Sequence, residues 1–346
     1  MKTMKTKLGS ALAILLAFRL HAQEAKITVH VVDESGVAVS NAQASAGFDN
    51  ALKPGEGWGT GIPTEVSGIT DAKGICVLEG KDTAGSVGTA VLKDGYYGSD
   101  GYGIVFTNYD SILRRWEPWN PMVEVVLQKK GVQVPMYARK IYENKIPVEG
   151  KPVGFDLMVG DWVAPYGNGQ TTDFIFQLDV APMRWITNWY GMTPRPFALE
   201  NRKLVISFPN DGDGIQPAIS SGHGLRLPRL APADGYESIL AKHRYDEITG
   251  IDNRTTKVRH NTDFQKDANY FFRVRSKKNA QGNIVSSLYG KIYGELNLGS
   301  GSGVSVGSKL TFTYYLNPEP NSRNMEFDPK QNLFKNLPLL ERVSAP

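Results

Sequence analysis

The chain has 346 residues, of which 41% are hydrophobic and 21% charged, a globular composition that excludes wholesale disorder. At about 150 residues per domain the length asks for about two domains, and 36 glycines with 20 prolines favour turns and short strands over long helices. The formal charge of +4 arises from Lys2, Lys5, Lys7 and Arg19 within the first 22 residues, which hold no acid; the rest of the chain is balanced and gives no reason to expect nucleic acid or an anionic membrane as partner.

Lys2, Lys5 and Lys7 precede an apolar run, Ala11 to Phe18, which small or polar residues follow. That is the order of a secretory signal. Residues 1–22 are expected to be a signal peptide cut near Ala22, and the mature protein to be exported, periplasmic or extracellular, and soluble. A membrane helix is the weaker reading, because Arg19 ends the run after 8 residues and a span needs about 20. Cys76 is the only cysteine, so no intramolecular disulfide can form; within Ile75-Cys76-Val77-Leu78 it reads as a small buried hydrophobe.

Residues 25–130 are expected to form a first β-sandwich. Ile27, Val29 and Val31 alternate with Thr28, His30 and Val32, the period of a strand with one buried face. Val39, Ala42, Ala44 and Ala46 fit a second strand of small residues. Asp71-Ala72-Lys73-Gly74 has the chemistry of a type I turn leading into the strand Ile75 to Leu78. Val87 to Leu92, Tyr102 to Phe106 and Met122 to Gln128 supply three more strands, and short strands at this density suit a sandwich. The residues Val29, Val31, Asp33, Gly36, Val39, Asn41 and Ala42, then Gly68 to Gly74, then Lys93-Asp94-Gly95-Tyr96, resemble the transthyretin-like or carboxypeptidase regulatory-like modules, with departures at Ala38 and across the insert Asp49 to Glu65. The resemblance covers about a third of the chain. It implies an Ig-like sandwich with a packing, spacing or binding role, and it brings no catalytic residue with it.

Residues 131–153 read as a linker in which Pro135-Met136-Tyr137 can form an edge strand, and 154–346 as a larger antiparallel sandwich or jelly roll of unassigned family. Its expected strands are Gly154 to Met158, Asp173 to Val180, Lys203 to Phe208, Ala268 to Arg275, Ile284 to Leu298 and Leu310 to Leu316. Tyr270, Phe272 and Val274 are expected inward, with Phe271, Arg273 and Arg275 outward. Asp234 with Glu237 three residues later predicts a capping box, and Tyr236, Ile239, Leu240 and His243 a covering helix that Gly250 stops.

Candidate chemistry is sparse. Trp185, Trp189 and Tyr190, with Arg184 and Asn188 beside them, offer flat faces and flanking hydrogen-bonding groups that suit sugars, against which stands ordinary core packing. Trp116 and Trp119, among Arg114, Arg115 and prolines 118 and 121, could likewise stack on sugar rings, against which stands a Trp and Pro plug that covers the end of a sandwich or the domain interface. Asp211 and Asp213 in Asn210-Asp211-Gly212-Asp213-Gly214 supply hard oxygens that calcium prefers, but no acid follows in Ile215 to Ala218, so an Asp/Gly turn competes with a calcium site. His223, His243 and His260 lack the close spacing of zinc sites. Gly303 to Gly307 satisfies the hydrolase elbow and Gly57 to Gly61 is glycine-rich, yet neither lies between a strand and a helix. The sequence therefore reads as an exported all-β binding or structural protein without catalytic residues, recognising a polysaccharide or another envelope component, with calcium the one candidate cofactor. The rival is an exported hydrolase assembled from residues such as Asp173, His223 and Asp252; self-association through sheet edges is a third reading.

Overall fold

The computed structural model describes residues 23–52, 61–182, 184–190, 193–220, 224–225, 227–252, 255–294, 296–299 and 308–345; the expected leader lies outside them. The protein is all-β, and its helices among the described residues are two single 3-10 turns, Pro329–Gln331 and Leu339–Glu341. It divides into two compact units, Met1–Lys129 and Lys130–Pro346.

The first unit contains β1 (Gln23–Asp33), β2 (Gln43–Leu52), β3 (Gly61–Ile69), β4 (Ile75–Asp82), β5 (Ser86–Leu92), β6 (Ser99–Val105), β7 (Asn108–Asp110), β8 (Arg115–Glu117) and β9 (Met122–Leu127). One sheet runs β4-β1-β8-β7 with β9 also on β1; the other runs β3-β2-β5-β6. β1 pairs with β4 antiparallel and with β9 parallel. Alternation sets the core between the sheets: Ile27, Val29 and Val31 from β1 meet Ala44, Ala46 and Phe48 from β2 and Val87 and Val91 from β5. Phe48 is fully buried, and a Cβ on Gly80 would come within 2.5 Å of its ring, so only glycine fits opposite it. Cys76 is buried in this core, where burial, then the Asp71 charge, pushes its thiol pKa up.

The second unit contains β10 (Tyr137–Lys145), β11 (Val153–Asp156), β12 (Asp161–Trp162), β13 (Phe174–Val180), β14 (Arg184–Tyr190), β15 (Thr193–Leu199), β16 (Asn201–Ser207), β17 (Gly214–Ala218), β18 (Ile239–Asp252), β19 (Thr255–Thr262), β20 (Asn269–Lys278), β21 (Ile284–Ile292), β22 (Asn297–Gly299) and β23 (Lys309–Asn317). Two antiparallel sheets, β10-β23-β21-β20-β17 with β22 on β23, and β12-β11-β13-β16-β18-β19, enclose an aromatic core. Phe155, Phe174 and Phe176 from one sheet meet Phe272, Phe312 and Tyr314 from the other, with ring centroids 5.0 Å apart for Phe174 and Phe272.

Four expectations need correction. The covering helix expected over 234–250 does not form, and from Ile239 the chain is a strand: β18 pairs with β16 and β19, and the run Ile239 to Asp252 satisfies a period of two as readily as a helical one. Sheet pairing on both sides outweighs the modest helical preference of such a segment. The expected linker 131–153 carries β10, joined to β23 from Tyr137↔Leu316 to Lys145↔Lys309. The single strand over Ile284 to Leu298 is two, interrupted around Gly294 at φ +80. Finally, the outward face of the β20 sheet is not open: Phe271, Tyr289 and Tyr315 are buried under Met325 and Phe327 of the C-terminal segment and Leu227 and Ala231. The same face buries Lys291, whose Nζ donates to the Met325 carbonyl at 2.8 Å and lies 4.7 Å from the Tyr315 ring centroid.

Candidate functional site

The segment with Trp185, Trp189 and Tyr190 is a strand, and β14 and β15 form a separate two-stranded sheet with pairs from Arg184↔Leu199 to Tyr190↔Thr193. Trp185 lies opposite Ala198 and is 54% exposed, while the exposed Pro196 and Pro194 oppose Thr187 and Trp189 further along the hairpin. The side chains of Asn188, Trp189 and Tyr190 lie outside the described residues. Pro194 and Pro196 carry no N–H, so β15 cannot use those positions to bond an added strand.

Trp116 and Trp119 belong to the first unit and are half-buried. Trp116 stacks on Phe106 at 6.1 Å and donates from Nε1 to the Asp82 carbonyl at 3.2 Å. Arg115 lies 4.9 Å and Lys26 5.7 Å from the Trp119 ring centroid. These contacts give both rings packing roles in their own sheet.

The paired aspartates already have partners. Asp213 is buried; its carboxylate accepts from the Ser276 N–H at 2.8 Å, the Arg275 N–H at 3.2 Å and the Asn210 amide at 2.8 Å, tying its loop to β20. Asp211 is exposed and pairs with Lys278 at 2.5 Å, and that ammonium holds its carboxyl below the usual range. Among the described residues no group of three or more His, Cys, Asp or Glu side chains could hold a metal ion.

His243 sits on β18 and not on the expected helix, and His260 sits on β19. The His243 Nε2 is 2.9 Å from Asn201 Oδ1 and its ring stacks on Tyr245 at 4.6 Å. The His260 Nδ1 is 2.6 Å from Asp246 Oδ1, a cross-strand pair whose imidazole is 70% exposed. Of the residues named for a hydrolase, His223 and the side chain of Asp252 lie outside the described residues, as do Gly303 to Gly307 and Gly57 to Thr60. Asp173 is fully buried, held by Arg275 at 2.7 Å.

Asp173 is part of a scaffold that the sequence reading missed. Arg275 has φ +56 at a bulge in β20, so its guanidinium turns to Asp173 and Asp156. Asp156 accepts from the backbone N–H groups of Met158, Val159, Gln170 and Thr171. Burial acts to raise its carboxyl pKa, but these four donors outweigh it and hold the group below the usual range. The loop from 157 to 170 is thereby fixed from beneath.

That loop lines an open pocket of about 510 Å³ together with residues of β10 and Glu341. Arg139 pairs with Glu341 at 2.7 Å and donates to the Gly160 carbonyl at 3.0 Å; a Cβ on Gly160 would meet Arg139 at 2.5 Å. Asp161 accepts from the Trp162 and Asn168 N–H groups at 2.8 and 2.9 Å. Tyr142 and Glu143 fall at the β10 bulge between Ile141 and Asn144, where Glu143 has φ +46. The glycines and aspartates of 156–173 were a visible loop signal; the bulge was not, because nothing in Ile141 to Asn144 marks it.

No protein-family model and no curated protein matches the chain. Among solved structures, the 3-chlorocatechol 1,2-dioxygenase of Rhodococcus opacus 1CP is similar over 32% of this chain and 61% of its own, at 9% identity and TM-score 0.24. The chain thus spans about three-fifths of that enzyme's length. BcpA, the major pilin subunit of Bacillus cereus, aligns over 88% of this chain and all of its own, at 10% identity and TM-score 0.21. At these values neither likeness carries a fold family or a function to this chain. No helix among the described residues is long and apolar enough to cross a membrane.

Proposed function

We propose that this chain is an exported, non-catalytic binding protein that recognises carbohydrate of the cell envelope through the β14–β15 hairpin. The observation that carries this reading is the exposure of Trp185 on a hairpin outside both layers of its sandwich, where its ring is presented to a partner. A flat, exposed indole suits the apolar face of a sugar ring. The transthyretin-like resemblance of residues 25–130 supports a spacing or binding role for the first unit, and the leader-like residues 1–22 support export. Native-gel retardation and tryptophan fluorescence against a panel of envelope polysaccharides test it. Binding that Trp185→Ala weakens about tenfold, with unchanged melting, is the expected result; binding untouched by the substitution overturns the assignment to the hairpin.

A further inference from the structure

We infer that the pocket between β10 and the loop 157–170 is a second binding site, for a neutral polyhydroxylated ligand of the size of a small saccharide. It shares a ligand class with the hairpin reading but rests on other residues. The volume of about 510 Å³ lies within the range of small-molecule sites. Its chemistry then narrows the occupant. Glu143, Asp161 and Glu341 line it; Glu341 is paired with Arg139 and Glu143 with Lys309 at 2.8 Å, and Arg139 is committed as well to the Val159 and Gly160 carbonyls, so neither cation is left to hold an anion. No metal-holding set of side chains exists among the described residues, and the polar walls do not suit an apolar molecule. Hydroxyl groups do fit: they donate to carboxylates and bond in either sense with the amides of Asn144 and Asn168.

Two further features belong to a built site and not to a surface dent. Glu143 occupies left-handed backbone at a bulge, a conformation that a non-glycine residue holds only where the surroundings impose it, and its N–H is pinned by the Thr311 hydroxyl at 2.9 Å. The bulge breaks the strict alternation of β10, so the neighbouring Tyr142 and Glu143 both line the pocket. Tyr142 is 42% exposed; the Lys140 ammonium lies 5.3 Å from its ring centroid, so the opposite face is the one on which a sugar ring would stack. The opposite wall is rigid because Asp156 holds both ends of the loop through its backbone N–H groups.

The test is a titration of the isotopically labelled full chain with glucose, N-acetylglucosamine and cellobiose, with choline and inorganic phosphate as contrasting probes. We expect at least one saccharide to move the backbone amides of Glu143, Asn144 and Asn168 saturably. Tyr142→Ala and Asn144→Ala should each weaken this about tenfold, while Trp185→Ala leaves it unchanged. The proposal is overturned if no saccharide moves these amides, if choline or phosphate moves them instead, or if both pocket variants bind as the parent does. Saccharide binding that only Trp185→Ala abolishes would sustain the hairpin reading and sink this one, so the two fail separately.

Discussion

Lys291 is the residue whose chemistry departs furthest from its surroundings. Its side chain is fully buried; burial pushes its pKa down to about 7, against the opposing pull of Glu326. An unfolded chain keeps that lysine protonated up to about pH 10.4. Between these values the unfolded state binds the extra proton, so stability rises with pH, by up to about 1.4 kcal/mol per unit. Below the lower value both states are protonated and the penalty is constant. The Lys291→Met variant lacks the proton and hence this slope. Urea denaturation from about pH 7 to about pH 9 should therefore show the parent gaining on the variant as pH rises; a constant difference would refute the shift. Little of this was legible in the sequence, where Lys291 is one more cation on an expected strand. Burial of Ile27, Val29 and Val31 was legible, because alternation depends only on the chain itself. Arg275 marks the limit: alternation puts it outward, but a bulge at φ +56 turns it to Asp173 and Asp156, a decision made by partners more than a hundred residues away.

At the scale of elements, the sequence conveyed strands well and their partners badly. β18 was misread because a helical and a two-residue period coexist in its residues, and only the pairs to β16 and β19 decide between them. The C-terminal segment was invisible as an element, since it covers the outer face of the β20 sheet without forming a strand of its own. It is attached by backbone bonds at Val134 and Met136 and by one side chain that imitates a strand. Asn332 donates to the Ala138 carbonyl at 2.7 Å and accepts from the Ala138 N–H at 3.3 Å, completing the free edge of β10 at that residue. The Leu333 N–H adds a bond to the Met136 carbonyl at 2.9 Å. Replacing Asn332 with Ala removes both side-chain bonds and leaves the N–H and C=O of the buried Ala138 without that partner. The expected cost is about 1–3 kcal/mol. Denaturant melting measures it, and faster hydrogen exchange at the Ala138 amide localises it; unchanged exchange there would mean that the edge is covered in some other way.

At the scale of the whole molecule, the question is whether one cooperative body or two hold the chain's strands. The first unit has a complete core of its own, in which residues of both its sheets, from Ala25 to Leu127, bury one another. The second has two: the aromatic layer around Phe155, Phe176 and Phe312, and the covered outer face around Phe271, Tyr315 and Phe327. β1 reaches its last partner within the first unit at Asp33↔Leu127, and β10 opens the second by pairing with β23 near the far end of the chain. The second unit therefore closes only when its last strand and C-terminal segment are present, whereas the first is complete by residue 127. Fragments 23–129 and 130–346 should each melt as a single cooperative transition with dispersed amide spectra. Removing residues 318–346 from the second fragment should uncover Phe271, Tyr289 and Tyr315 and produce dye binding and self-association. A first fragment that stays unfolded, or a truncated second fragment that remains monomeric and dye-silent, would show that the apolar faces are closed by something other than the layers described for each unit.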